Sequence, residues 1–417
     1  MNENEQNQNI QAPGQIDSQE QEKKSQGKVK PWVLALIGAG VLVIVFAVSW
    51  LLIDTAPPQP ETAAMPPPTD ANGNLIMTDA PDNTATPEVD LPIVGYSPTT
   101  GRGITDPDKK YQPICVMIDN EARAIPQSAI GKADVVYEMY VEGGETREMA
   151  VFNDVIPEKI GPVRSARICF LEMAEEWKPI YIHVGGSPAK NESNAFNRIR
   201  DMLSRGAMTA DLDGTKIGQF FWRDQARKAP NNDYINGQQV LEKYKELPVV
   251  PERPLPFATD GILKDGGTDC KEIIVKYRSS YSVIYRYDEA TGYYARFRNE
   301  NPYVDAADGE QLMVSNVIIQ YANANLYEDN KHAQIHLIGS GDCVVIRNGK
   351  AIEGRWEKKD LASRTVFLDK DGNEVDLKPG QTFIQVANPI AGGVPKTTVT
   401  MSASVLSAPY SSTPVAP

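Results

Sequence analysis

The chain has 417 residues, of which 41% are hydrophobic and 23% are charged. These fractions are ordinary for a globular protein and exclude both wholesale disorder and a polytopic membrane protein. The formal net charge of −13 argues against a dedicated nucleic-acid-binding protein, and no nucleic-acid partner is predicted. With four Cys and three His, a disulfide scaffold or a His/Cys metal cluster is not expected either.

The N-terminal residues predict a single-pass membrane anchor. Residues 1–30 are polar and predict a disordered cytoplasmic tail. Within 31–53, the stretch 32–53 carries no charge over 22 residues, which is long enough for a helix across about 30 Å of hydrocarbon. Four lysines precede this stretch and no Lys or Arg follows it before Arg102. The positive-inside rule therefore places the N-terminus in the cytoplasm and everything after residue 53 outside the cell membrane.

A cleaved signal peptide is the alternative interpretation of this segment. Signal peptides have apolar cores of about 7–15 residues, and the core here is longer. An uncleaved anchor is therefore favoured. The following segment, 54–100, contains ten Pro, seven acidic residues and no basic residue. Such a composition predicts an extended stalk that does not fold alone.

The remaining chain predicts an α+β fold in two domains. Residues 101–255 alternate short apolar runs with helical stretches, which is typical of a mixed α/β domain. Residues 269–390 carry strand patterns separated by Asn-Gly and Asp-Gly turns, which predict a mainly antiparallel β domain. Residues 391–417 are small, polar and Pro-bearing, and we expect a flexible tail there.

The first domain carries the elements on which the site depends. Helical spacing of apolar residues predicts a helix over 164–176. Buried-strand runs are predicted over Ile114–Ile118, 133–141, 147–155 and 180–184, and further helices over 191–205 and 237–247.

Polar residues concentrate at the ends of these elements. Arg164 and Arg167, three residues apart, are expected on one side of the first helical turn, where helix N-termini already attract anions. Glu138 and Glu142, four residues apart on a strand, are expected on one face, where two carboxylates could divide acid and base roles. The alternative is that Arg164 and Arg167 are structural and pair with Glu138, Glu142 or Asp134 in a buried network. The candidate ligand-binding residues are Asp119, Asn120, Glu138, Glu142, Thr146, Arg147, Arg164, Ser165, Arg167, His183 and Ser187.

Other chemistry has weaker support in the sequence. His332 and His336 lie in a strand-like run, where residues four apart are separated by about 13 Å, so no metal site is predicted. Ser187 has only His183 nearby as a base and lies outside a Gly-x-Ser-x-Gly motif. The four cysteines lie in or beside apolar runs and are expected to be buried and inert. The alternative is a disulfide between two of them in an oxidising exterior, which their spacing does not decide. No phosphate-binding loop is present and no cofactor is predicted.

The order and spacing of several motifs resemble the YerB-like family of bacterial extracytoplasmic proteins of unknown function. The resemblance covers about 105–390 and implies the same two-domain division and an extracytoplasmic location. It implies no catalytic residues. Members of that family are often lipid-anchored, whereas this chain has a long apolar segment with no nearby acceptor Cys. The matching motifs are 116–120 (VMIDN), 126–128 (PQS), 133–138 (ADVVYE), 142–144 (EGG), 160–167 (IGPVRSAR), 183–188 (HVGGSP), 316–320 (NVIIQ), 354–356 (GRW) and 377–380 (LKPG).

Two hypotheses of function follow. The first is a membrane-anchored module that binds a cell-wall component or an envelope protein. The second is an enzyme that acts on an anionic envelope polymer or phospho-sugar, with Glu138 or Glu142 as acid or base and the arginines holding the substrate. The stalk, the outward topology and the β-rich second domain favour binding.

Overall fold

A computed structural model describes residues 92–188, 190, 192–247 and 254–405. The predicted cytoplasmic tail, the membrane segment 31–53 and most of the predicted stalk lie outside these residues. Within the described part, no helix is long and apolar enough to cross a membrane. The described residues belong to one compact unit that begins near residue 89.

In the described residues the fold is predominantly β, with three short α-helices. The helices are α1 (Ile168–Ala174), α2 (Ala195–Ser204) and α3 (Gly237–Tyr244). In the first half, the strands are β1 (Gly95–Tyr96), β2 (Gly103–Ile104), β3 (Ile114–Ile118), β4 (Val135–Tyr140), β5 (Thr146–Phe152), β6 (Ile180–His183), β7 (Ala210–Asp213), β8 (Phe221–Arg223) and β9 (Asp233–Ile235). In the second half, they are β10 (Thr268–Asp269), β11 (Glu272–Arg278), β12 (Tyr281–Asp288), β13 (Tyr293–Arg298), β14 (Asn301–Pro302), β15 (Met313–Val314), β16 (Asn316–Tyr321), β17 (Ala324–Leu326), β18 (Ala333–Ile335), β19 (Gly339–Arg347), β20 (Lys350–Lys358), β21 (Val366–Asp369), β22 (Thr382–Ala387) and β23 (Thr398–Ser402).

One eleven-stranded main sheet takes strands from both halves of the chain. Its order is β10-β20-β19-β16-β22-β4-β5-β3-β6-β7, and β21 pairs with β20. Strand β22, near the C-terminus, is parallel to both β16 and β4 and joins the two halves of this sheet. The boundary predicted between 255 and 269 therefore separates two parts of the sequence, but strands from both parts lie in the same sheet.

A second, six-stranded sheet covers one face of the main sheet. Its order is β14-β13-β12-β11-β23, and β15 pairs with β13. Paired positions in neighbouring strands share a face, so Glu138, its β5 partner Glu148 and its β22 partner Gln385 all point toward this second sheet. We call this side of the main sheet the sheet–sheet face. The opposite side, which carries Tyr137 against Glu176 just after α1, is the helix face.

Two predicted boundaries are wrong. The predicted stalk extends to residue 100, but β1 pairs with β2, and Thr99 is buried and donates a hydrogen bond to Asp134 at 2.7 Å. The predicted flexible tail begins at residue 391, but β23 pairs with β11 along its whole length. The described parts of these segments, 92–100 and 391–405, are ordered because tertiary partners satisfy their polar groups, which their own composition does not reveal.

Candidate functional site

The carboxyl ends of three parallel strands form the candidate site. Strands β3, β6 and β7 are parallel neighbours, and in open α/β sheets ligands bind beyond the carboxyl ends of such strands. Asp119 follows β3, whereas His183 and Asp213 are the last residues of β6 and β7.

An extended segment, 163–166, fills the gap between the ends of β3 and β6. Arg164 donates its backbone N–H to Met117 at 2.9 Å and accepts one from Val184 at 3.0 Å. Further bridges join Ile118 to Val163 and Ala166 to Gly186. The predicted helix over 164–176 is therefore wrong at its start, since α1 begins only at Ile168. The two candidate arginines do not share a first helical turn.

Glu142 neutralises two of the three clustered arginines. Arg167 donates from Nε to Glu142 Oε2 at 2.8 Å and from Nη2 to Oε1. Arg147 donates to Glu142 Oε1 at 3.2 Å and to the Ser165 carbonyl at 3.0 Å. Burial alone would raise the pKa of Glu142, but the two arginines outweigh it and lower that pKa to about 2. Glu142 is therefore a fixed anion rather than a proton donor near neutral pH.

Burial also affects the arginines of this cluster. Desolvation, together with repulsion from Arg167, lowers the pKa of Arg147 to about 10. The side chains of Arg147 and Arg167 are only 10% and 11% exposed, and the guanidinium group of each forms an ion pair with Glu142. Glu142 therefore holds both Arg147 and Arg167 in an ion pair within the protein.

Arg164 differs from its two neighbours. Its Nε lies 3.2 Å from Asp119 Oδ2, and its side chain is 22% exposed. Among the described residues, Asp119 is its single ion-pair partner, and that carboxylate also accepts a hydrogen bond from Asn231 at 2.6 Å. Arg164 therefore has guanidinium N–H groups left to bind an anion from solution.

The other predicted carboxylate, Glu138, is buried on the sheet–sheet face. Its Oε1 accepts hydrogen bonds from Asn120 at 2.8 Å, Thr146 at 2.9 Å and Tyr281 at 2.6 Å. Its Oε2 accepts from Gln385 at 3.1 Å and Arg296 at 3.3 Å. The side chain is 0% exposed, so no substrate reaches it.

Glu148 shares Arg296 with Glu138, and these residues form the centre of a buried network. Arg296 donates to Glu148 at 2.8 Å and stacks on the Tyr303 ring, 3.8 Å from its centroid. Burial raises the pKa of Glu148 above its ordinary value despite the opposing charge of Arg296. The network connects strands of the first half to β12 and β13 of the second half.

Glu138 and Glu142 therefore do not form a pair. Arg147, the partner of Glu142, precedes Glu148 in β5, so its side chain lies on the helix face, opposite Glu138. Strand β4 ends at Tyr140, so the alternation that predicted a shared face does not continue to Glu142.

His183 and Ser187 have structural partners. The two ring nitrogens of His183 contact the Gly185 carbonyl at 2.6 Å and Asp211 Oδ1 at 2.8 Å, and both partners are acceptors. Through these two contacts the ring connects β6 to β7. The Ser187 hydroxyl donates to the Ser193 carbonyl and accepts from the Ala195 N–H at 3.2 Å. No hydrogen bond joins these two side chains.

The remaining predictions concern cysteines and metals. All four cysteines are buried, as predicted, and all four are free, which settles the pairing that the sequence left open. His332 contacts Asp329 and His336 contacts Asn325. Among the described residues, no group of three or more His, Cys, Asp or Glu side chains could hold a metal ion.

Sequence reasoning missed the distant partners of the site. Asn231, Asp211 and Arg296 complete contacts to Asp119, His183 and Glu138, but they lie in other elements far along the chain. Arg296 was the hardest of the three to predict. Arg296 and Arg298 flank Phe297 in β13, and this alternation is also typical of an exposed strand whose charged side chains face solvent.

These features define a protein with two large packed sheets, in which both halves of the chain build the larger one. Residues 99–249 match the N-terminal domain, and 273–384 the C-terminal domain, of a family described as protein of unknown function (DUF3048). The chain belongs to this family, which confirms the resemblance found in the sequence.

A relative and a solved structure extend this assignment. The chain is 28% identical over 299 residues to the protein named "Putative lipoprotein YerB" of Bacillus subtilis (strain 168), a match that covers 70% of this chain and 85% of that protein. It is also similar to the crystal structure of the YerB protein from Bacillus subtilis, with a TM-score of 0.62 and 27% identity. That match covers 73% of this chain and 99% of the solved chain.

Proposed function

We propose that this chain is an extracytoplasmic protein of the cell envelope, held to the membrane by residues 32–53, that binds an anionic envelope component. The uncharged stretch and its lysine flank support the anchor. The name of the Bacillus subtilis relative, a lipoprotein, supports an envelope location by a different type of anchor.

The main support for binding over catalysis is the separation of the two carboxylates. An acid–base pair needs two groups that reach the same substrate with different proton affinities. Glu138 is sealed beneath the second sheet, and Glu142 is a fixed anion between two arginines on the other face. The enzyme hypothesis loses the pair on which it rested.

Arg164 supports an anionic ligand. It lies at the carboxyl ends of β3 and β6, its side chain is partly exposed, and its one carboxylate partner is shared with Asn231. An arginine with unused donors suits phosphate or carboxylate groups, which it can bind with two parallel hydrogen bonds. Anionic wall polymers, phospho-sugars and an acidic segment of an envelope protein all carry such groups.

Calorimetric titration tests this proposal. Full-length protein in detergent micelles is titrated with poly(glycerol phosphate), soluble wall fragments and phospho-sugars, and each mixture is then analysed for cleavage products. We expect binding without turnover to at least one of them. The Arg164→Ala variant should lose binding by about tenfold or more, because a charge-assisted bidentate contact contributes roughly 1.5–3 kcal/mol.

Stability measurements separate the two arginine roles. Arg164→Ala should lose less stability than Arg167→Ala, because the buried Asp119 carboxylate keeps its hydrogen bonds from Asn231 and from the backbone N–H of Glu121. Arg167→Ala should be clearly less stable, because it leaves Glu142 without its two-point partner. The proposal is wrong if Arg164→Ala binds as tightly as the wild type, or if the ligand is cleaved at a steady rate.

A further inference from the structure

A continuous groove crosses the second half of the main sheet, away from Arg164. Its largest part is a cleft of about 700 Å³ between β16, β19, β20 and the turn after β21. A cleft of about 430 Å³ shares Tyr321 and Asp342 with it at one end. At the other end, a cleft of about 310 Å³ shares Glu353, Asp369, Lys370 and Asp371. Because the three clefts share walls, the groove suits an extended ligand better than a compact one.

Apolar side chains form part of the floor of the central cleft, and one of them belongs to a strand with an open edge. Tyr321, Val344 and Met401 line the cleft. Met401 belongs to β23, which pairs with β11 on one side and with no described strand on the other. An unpaired edge offers backbone N–H and C=O groups to an incoming extended chain, and alternate side chains of that chain can then enter a neighbouring pocket.

The groove is lined by more acidic than basic side chains. The two basic residues of the central cleft already have partners, since Lys370 lies 2.6 Å from Glu353 and Arg355 lies 2.7 Å from Glu357. Asp342 and Asp371 are exposed on the walls of the central cleft. Within the described residues, neither of these two carboxylates has an ion-pair partner. The groove therefore complements a chain that carries positive charge.

From this combination we infer that the groove binds an extended basic peptide segment of a partner protein, which adds to the free edge of β23 and places lysine or arginine side chains beside Asp342 and Asp371. The apolar part of the floor receives the alternate apolar side chains of the same segment. This site is independent of the anion site at Arg164, and its ligand has the opposite charge.

Fluorescence anisotropy with labelled hexapeptides tests this inference on the full-length protein in detergent micelles. The probes are Lys-Val-Lys-Val-Lys-Val, the same peptide with Gln for Lys, and the same peptide with Glu for Lys. We expect the Lys peptide to bind most tightly and to weaken as salt is raised, because the charges are solvent-exposed. The Glu peptide should bind most weakly.

A matched pair of variants identifies the binding site. Asp342→Asn/Asp371→Asn keeps the shape of two exposed side chains, and the Lys peptide should bind it at least about fivefold more weakly. Glu246→Gln/Glu310→Gln removes two exposed charges that lie outside the groove and should leave binding unchanged. The inference is overturned if the two double variants bind equally well, if the Glu peptide binds as tightly as the Lys peptide, or if no peptide binds below about 1 mM.

Discussion

Arg167 contacts both carboxylate oxygens of Glu142, through Nε at 2.8 Å from Oε2 and through Nη2 at Oε1. Arg147 adds a third contact to the same carboxylate. This arrangement uses two of the three clustered arginines for structure and leaves Arg164 as the one that faces solution. The assignment of roles within the cluster depends on this relationship.

The Glu142 contacts predict a specific pH dependence of stability. The pKa of Glu142 falls from its ordinary value of 4.5 to about 2 in the folded state. The ionised form is therefore stabilised by folding, and this stabilisation is present above pH 4.5 and is lost as the pH falls through 2. A shift of this size corresponds to roughly 3 kcal/mol as an upper value.

Glu142→Gln tests that pH dependence. At pH 7 we expect the variant to unfold with a free energy roughly 2–3 kcal/mol below that of the wild type. The difference should shrink between pH 4.5 and pH 2, and urea titrations across this range measure it. A difference that stays constant down to pH 2 would show that Glu142 is not held as an anion by Arg147 and Arg167.

The buried network predicts a large loss and a partial rescue. Arg296→Met leaves Glu138 and Glu148 without their shared cation in a sealed interface, and removing one partner of a buried ion pair costs about 3–5 kcal/mol. The triple variant Arg296→Met/Glu138→Gln/Glu148→Gln removes the uncompensated charges as well. We expect it to recover at least half of the lost stability in a urea titration. A triple variant less stable than Arg296→Met would contradict this account of the network.

The cysteines are predicted to be inert in the folded protein. Burial raises the pKa of Cys169 and of Cys343 to about 12 and that of Cys270 to about 11, and burial also raises the pKa of Cys115. Thiolates are the reactive form, so a thiol reagent such as Ellman's reagent should label none of the four at pH 8. All four should react after unfolding in urea. Rapid labelling of the native protein would show that one of these thiols is accessible.

The sequence predicted individual strands better than their partners. The apolar run Ile114–Ile118 forms β3 with the predicted bounds, because five consecutive buried residues leave little alternative to a covered strand. The alternation of hydrophobic residues also located β4, β5 and β6. Periodicity cannot show that β22, more than 240 residues after β4, pairs with it and joins the two halves into one sheet.

The predicted helix start at Arg164 is wrong for a physical reason. Local spacing indicates a helix from 164, but the backbone of this residue bonds to Met117 and Val184 in the ends of β3 and β6. These tertiary hydrogen bonds override a weak local preference. The candidate site was predicted only in part for the same reason, because tertiary contacts are not visible in local sequence patterns. Its residue types were found in the sequence, whereas the division of Glu138 and Glu142 between two faces depends on where β4 ends.

The proposed function requires that the folded residues lie outside the cell membrane. Intact bacterial cells that produce the chain with one epitope tag before Met1 and another after Pro417 are treated with an external protease, and both tags are then followed by immunoblotting. We predict that the C-terminal tag disappears from intact cells while the N-terminal tag persists until the cells are lysed. A C-terminal tag that stays protected until lysis would place the folded part in the cytoplasm and would contradict the account.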